Sequence, residues 1–150
     1  MNGRLKIEGG FMRALIGVRL GGVALWLALS TLAMPTVTDA NEAVTDSAAY
    51  KRGRLLYIQC RACHDLKAGG PRKVGPHLEG IVGRSVAAVK DFGYSEALES
   101  SGLVWDVATL DRWLQRPSEL VPGNTMAFAG IASEADRAAL ITYISVDSAQ

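Results

Sequence analysis

Apolar residues recur at helical spacing in four short windows, separated by stretches with no sustained period. The first window predicts a helix from Ser47 to Gln59, with Leu55, Leu56 and Ile58 as its apolar contacts and Gly53 allowing close approach of another helix. Ser95 can cap a short second helix ending near Gly102. Asp106 can cap a third, which carries Leu110, Trp113 and Leu114 on one face and stops at Pro117. Ser133 can cap the last, running to about Val146 with Leu140, Ile141, Tyr143 and Ile144 on its buried side. Gly53 and Tyr143 mark the expected crossing of the first and last helices. No stretch has the period-two alternation of a strand, and no internal repeat is present, so the expected class is all-α.

Between these windows, residues 65–92 hold Gly69, Gly70, Pro71, Gly75, Pro76, Gly80 and Gly83. A structureless loop of that length inside one compact domain needs another group to supply the missing core. Residues 41–46 read as a polar, flexible start.

The 150 residues suffice for one domain. Hydrophobic content of 49% is partly concentrated in residues 1–40, which read as an export signal. Arg4, Lys6, Arg13 and Arg19 form its basic region, Leu20–Ala33 its apolar run, and cleavage is expected after Ala40. An uncleaved anchor is the alternative, but that run of 14 residues falls short of the roughly 20 that span a bilayer. The expected domain is 41–150. It has twelve Lys and Arg against thirteen Asp and Glu, and residues 51–90 hold nine of the basic side chains against Asp65 and Glu79. Such a segment can steer acidic partners, or simply be solvated.

The most informative stretch is Cys60-Arg61-Ala62-Cys63-His64. This C-x-x-C-H spacing lets two thiols reach two vinyl groups on one porphyrin edge and carries a histidine under the iron, so it predicts covalent haem. A disulfide or a redox dithiol is the competing reading; the adjoining histidine and the missing alternation of strands and helices count against both.

The chain goes on to present Gly75-Pro76-x-Leu78, Gly83-Arg84, Tyr94-Ser95, Trp105, and Pro117 through Pro122-Gly123-x-x-Met126-x-Phe128. This ordered set resembles the class I cytochromes c, close to the small soluble cytochrome c2 and mitochondrial type, from the first helix to the last. The resemblance implies an all-α cytochrome c fold of about four helices wrapped around one covalently attached haem c. It implies Cys60 and Cys63 as the attachment points, His64 and Met126 as iron ligands, and Pro76 as the carbonyl that accepts the other imidazole N–H. Met126 is the sole methionine beyond the export segment and sits in a proline- and glycine-bounded loop. His77, the rival ligand, follows the proline expected on the proximal side. By the same resemblance Arg84, Tyr94 and Trp105 contact the haem carboxylates and Phe128 packs at the haem edge. Trp113 stands where the family often has a tyrosine near the methionine sulfur, and Leu98 where the mitochondrial type has an asparagine.

The implied function is one-electron transport without enzymatic activity, between redox partner proteins such as a membrane cytochrome complex, an oxidase, a reductase or a dehydrogenase. The implied setting is the periplasm, with membrane anchoring if the N-terminal segment is retained. A monomer with peripheral membrane contact and no nucleic-acid partner is expected. The alternatives are an electron-accepting haem subunit of an enzyme complex, and a haem enzyme or gas sensor with an openable sixth position.

Overall fold

The computed structural model describes residues 37–149, which lie in one compact unit, Met34–Gln150. Most of the expected export segment lies outside the described residues. The elements are α1 (Val37–Asp46), α2 (Ala48–Leu56) running into a 3₁₀ turn (Tyr57–Gln59), α3 (Glu96–Glu99), α4 (Val107–Gln115), α5 (Pro117–Leu120) and α6 (Glu134–Ala149). Among the described residues the only extended pairing is an isolated antiparallel bridge, Ser85 with Val104. No helix among them is long and apolar enough to cross a membrane.

The helix starts follow local chemistry. Ser47 Oγ accepts from Tyr50 N (3.1 Å), Ser95 Oγ from Leu98 N (3.4 Å), Asp106 Oδ1 from Thr109 N (2.6 Å) and Ser133 Oγ from Asp136 N (3.2 Å). Each bond satisfies one of the amides that a first turn leaves without a partner.

Five expectations need correction or extension. Residues 41–46 are not a flexible start but part of α1, where Ala40, Glu42 and Ala43 favour helix up to the break at Ser47. Pro117 ends α4 yet opens α5, since its missing N–H costs nothing at a first helical position. The last helix reaches Ala149, three residues beyond Val146, while α3 closes at Glu99 ahead of Gly102. Along α2 and the 3₁₀ turn the buried stripe is not Leu55 and Ile58, which are 59% and 57% exposed, but Gly53 and Tyr57, with Tyr50 and the expected Leu56 packed beside them. Positions 50, 53 and 57 share one helix face, and Leu55 and Ile58 fall off it.

That face meets α6. A Cβ on Gly53 would lie 2.0 Å from Ala139 O and 2.7 Å from Tyr143 Cβ, so the two backbones touch there. The Tyr143 ring sits between Tyr50 (5.2 Å, edge-on) and Tyr57 (5.4 Å), and Tyr50 donates to Asp147 Oδ1 at 2.6 Å. At the rim Arg52 pairs with Asp136 at 2.9 Å. Leu110, Trp113 and Leu114 of α4 complete the core with Leu140, Ile141 and Ile144 of α6. Arg137, which the apolar pattern of α6 did not single out, is buried and ties three segments together. It donates to Asp111 Oδ1 (2.7 Å) and Oδ2 (3.2 Å) on α4 and to the carbonyls of Ile131 (3.0 Å) and Ala132 (2.8 Å).

The long segment between the 3₁₀ turn and α3 has little regular structure but many tethers. Gly75 N donates to Cys63 O (2.8 Å), Leu78 N to Asp65 O (2.7 Å), Val86 N to Leu103 O and Trp105 N to Arg84 O (both 2.9 Å). These hold the loop as one wall of a cavity.

Candidate haem site

The cavity, about 250 Å³, is bounded by the 3₁₀ turn, the loop through Trp105, α4, the segment after α5, and α6. All ten residues singled out from the sequence line it: Cys60, Cys63, His64, Pro76, Arg84, Tyr94, Trp105, Trp113, Met126 and Phe128. His77 is not among the lining residues.

Cys60 and Cys63 occupy one turn. Cys60 N donates to Tyr57 O (2.8 Å), and Cys60 O accepts from Cys63 N (3.0 Å) and His64 N (2.9 Å). A single carbonyl therefore sets the position of the second cysteine and of the histidine. The two are not joined to each other as a disulfide. Before haem is attached, burial, helped by neighbouring Cys63, pushes the Cys60 thiol up to about 11, so it is protonated at neutral pH. The end of the turn is stapled from two sides. Tyr57 donates its hydroxyl to His64 O (2.9 Å), and Lys73 Nζ reaches Arg61 O (2.6 Å) and Asp65 Oδ1 (2.7 Å).

The His64 ring is fixed by contact and by hydrogen bond. Gly75 passes so close that a Cβ there would sit 2.3 Å from His64 Cε1. Nδ1 lies 2.8 Å from Pro76 O, a carbonyl that can only accept, so Nδ1 carries the proton and Nε2 keeps its lone pair. Burial holds the imidazole below its ordinary range, with the Pro76 bond opposing that shift, and the ring is neutral as a metal ligand must be.

The polar side of the cavity centres on Arg84. Its Nη1 donates to Glu79 O (2.5 Å) and its Nη2 to His77 O (3.1 Å), whereas Nε is buried without a partner. Burial lowers the Arg84 pKa, yet a guanidinium stays charged. An orphaned, buried, charged N–H beside a cavity calls for an anionic acceptor, and a haem carboxylate meets that need. Tyr94 lies against Phe92 (4.8 Å, edge-on), and its oxygen accepts from Val89 N at 3.4 Å, leaving the O–H free to donate. Trp105 stacks edge-on with Trp113 at 5.2 Å.

Met126, partly buried, packs against the core; its N–H donates to Asn124 Oδ1 (3.1 Å) and its carbonyl accepts from Phe128 N (2.9 Å). Among the described residues no three His, Cys, Asp or Glu side chains come together as a site for a bare ion. The donor set of one imidazole and one thioether fits iron whose other four ligands come from a macrocycle. Phe92, which lines the cavity, was not read from the sequence as part of this site, nor were Asn124 and Gly130, which lie outside the lining and hold the segment that bears Met126. Phe92 carried a local signal, an aromatic two positions from Tyr94. Asn124 and Gly130 carried none, because their role depends on segments they meet only in the fold.

No family model matches the chain. It is 43% identical over 101 residues to the "Cytochrome c homolog" of Rickettsia typhi, covering 67% of this chain and 58% of that protein. It is 39% identical over 93 residues to the cytochrome c2 of Rhodoblastus acidophilus, covering 62% of this chain and 87% of that protein. Among solved structures, cytochrome cH from Methylobacterium extorquens superposes with a TM-score of 0.59 at 35% identity, over 63% of this chain and 95% of that one. With this likeness spanning most of the c2 relative, and with a cavity whose donors suit haem, the chain belongs to the class I cytochromes c and carries covalently attached haem c.

Proposed function

We propose that the chain is a mobile one-electron carrier whose haem is held by Cys60 and Cys63, ligated by His64 and Met126, and closed at both axial positions. The observation that carries this reading is that Met126 and His64 line one cavity while His77 stays outside it. The haem supplies a ferric/ferrous couple. The residues would supply the rest: Pro76 orients the imidazole, Arg84 would neutralise and Tyr94 and Trp105 would hydrogen-bond the haem carboxylates, and the Met126 thioether would raise the potential relative to a second nitrogen ligand. Ligation by His64 and Met126 would leave no open position for a substrate, and neither residue would need to move as the electron passes. Electron exchange is assigned to the surface near Val74, which lines the cavity while being 83% exposed. Residues 1–40 are proposed to export the chain before haem attachment, with cleavage after Ala40.

Absorption spectra of the purified oxidised protein test the ligation. A methionine–iron charge-transfer band is expected in the parent and not in Met126→Ala, and a parent without it sinks His/Met ligation. The mass of the same preparation tells whether the chain begins at Asn41.

Partner steering is a weaker effect than the charge count of residues 51–90 suggests. Lys51 pairs with Asp46, Arg52 with Asp136 and Lys73 with Asp65, and Arg84 is turned inward. Exposed Arg61 and Arg72 remain beside the attachment turn and the loop that follows it. Electron transfer to an acidic redox protein should slow, roughly threefold, as ionic strength rises from about 0.01 M to about 0.15 M. A salt-independent rate would remove steering from the account.

A further inference from the structure

The segment bearing Met126 is pinned at both ends. Val121 is buried and its N–H donates to Pro117 O at 3.0 Å. At the far end Ile131 N donates to Leu114 O at 2.8 Å, and Gly130, with φ of +102°, lies so close to α4 that a Cβ would sit 2.0 Å from Gln115 O. Between these anchors the Met126 backbone is tied back by one side chain. Asn124 Oδ1 accepts from Met126 N at 3.1 Å, and Asn124 Nδ2 donates to Val121 O at 2.9 Å. The Asn124 amide thus bridges the ligand-bearing residue to the buried anchor. It is not a cavity-lining residue, whereas its neighbour Thr125 is, so the bridge acts through Met126 and not on the cofactor.

We propose that Asn124 is a positioning residue that sets how often the Met126 arm leaves the haem, and hence how readily a small nitrogen base takes the sixth position. This rests on the His64/Met126 reading. The anchors at Val121 and Gly130 hold the ends of the segment whether or not Met126 is engaged. The free-energy difference between engaged and withdrawn arms therefore falls on the contacts in between, and the Asn124 bridge is two of them. An outside ligand binds only the withdrawn form, so its apparent affinity scales with the fraction withdrawn. Losing both hydrogen bonds of the bridge raises that fraction.

The test is imidazole titration of the ferric holoprotein, followed by loss of the methionine–iron band, on the parent, Asn124→Ala, Asn124→Ser and Ser133→Ala. Asn124→Ala should bind imidazole about tenfold more tightly than the parent, equivalent to about 1.4 kcal/mol. Serine can still accept from the N–H two residues on, though more weakly, so Asn124→Ser should fall between at roughly threefold. Ser133→Ala removes the cap of α6 and lowers stability without touching the arm, and its imidazole affinity should equal the parent's. Asn124→Ala within twofold of the parent, or a Ser133→Ala shift of equal size, overturns the proposal. If Asn124→Ala fails to retain haem, Asn124→Ser carries the comparison, and parental affinity in it counts against the bridge. A parent lacking the band overturns the ligation reading and this one together; a parent with the band and unchanged Asn124 variants overturns this one alone.

Discussion

A chain with both Cys60 and Cys63 replaced by alanine should show little of the parent's helical circular dichroism and no cooperative melting transition. Residues 60–95 form no α-helix, and their tethers shape the wall of a cavity in place of a packed core. Ile81, Leu98, Trp105, Leu110, Trp113, Leu114, Ile141 and Ile144 all turn apolar surface to that cavity. A haem in that cavity would give those side chains their packing partner, and its carboxylate would give the buried Arg84 Nε an acceptor. Native domains are stable by only about 5–15 kcal/mol, and removing the centre of the core exceeds that margin. Either cysteine alone still tethers the group, so the single variants should melt cooperatively at reduced temperature. A double variant that keeps parental helix content and a sharp melt would show that the polypeptide holds its own core.

Gly53→Ala should destabilise the holoprotein by about 3 kcal/mol, seen as a lowered guanidinium midpoint with an unchanged slope. The sign is informative because two effects oppose. Within a helix alanine is favoured over glycine by roughly 1 kcal/mol, so propensity alone predicts stabilisation. Against it, the new Cβ would sit 2.0 Å from Ala139 O and 2.7 Å from both Ala139 C and Tyr143 Cβ. Two of those three atoms are backbone, so relief requires moving α6 away from α2. That also opens the Tyr50–Tyr143–Tyr57 stack and the Tyr50–Asp147 bond. A midpoint equal to or above the parent's would mean that the helices cross with more room than this geometry allows.

Both predictions concern features that differ in how plainly the chain displays them. Gly53 was legible because a glycine inside an otherwise good helix has few reasons to be there except close approach. Leu55 and Ile58 misled because apolar character within one helix does not say which face is covered. The partner face on α6 decides that, and it picks the stripe through Gly53 and Tyr57. Arg137 was passed over because a charged residue in an apolar helix reads as solvated until Asp111 and two loop carbonyls are brought to it. The basic run 51–90 overstated its surface charge for the converse reason, since several of its members spend their charge on Asp46, Asp65 and Asp136.

By itself the sequence determined what depends on atoms a few bonds apart along the chain. The helix caps at Ser47, Ser95, Asp106 and Ser133 and the one-turn spacing of Cys60, Cys63 and His64 are set by reach between near neighbours. The tertiary structure alone decided what depends on closing long loops. It brought Gly75 flat against the His64 ring, left Arg84 Nε buried without a partner, and set Gly130 against Gln115 so that the segment bearing Met126 is anchored near the cavity. Contacts of that kind cost loop entropy and are made only when the whole core forms at once, so no local pattern encodes them.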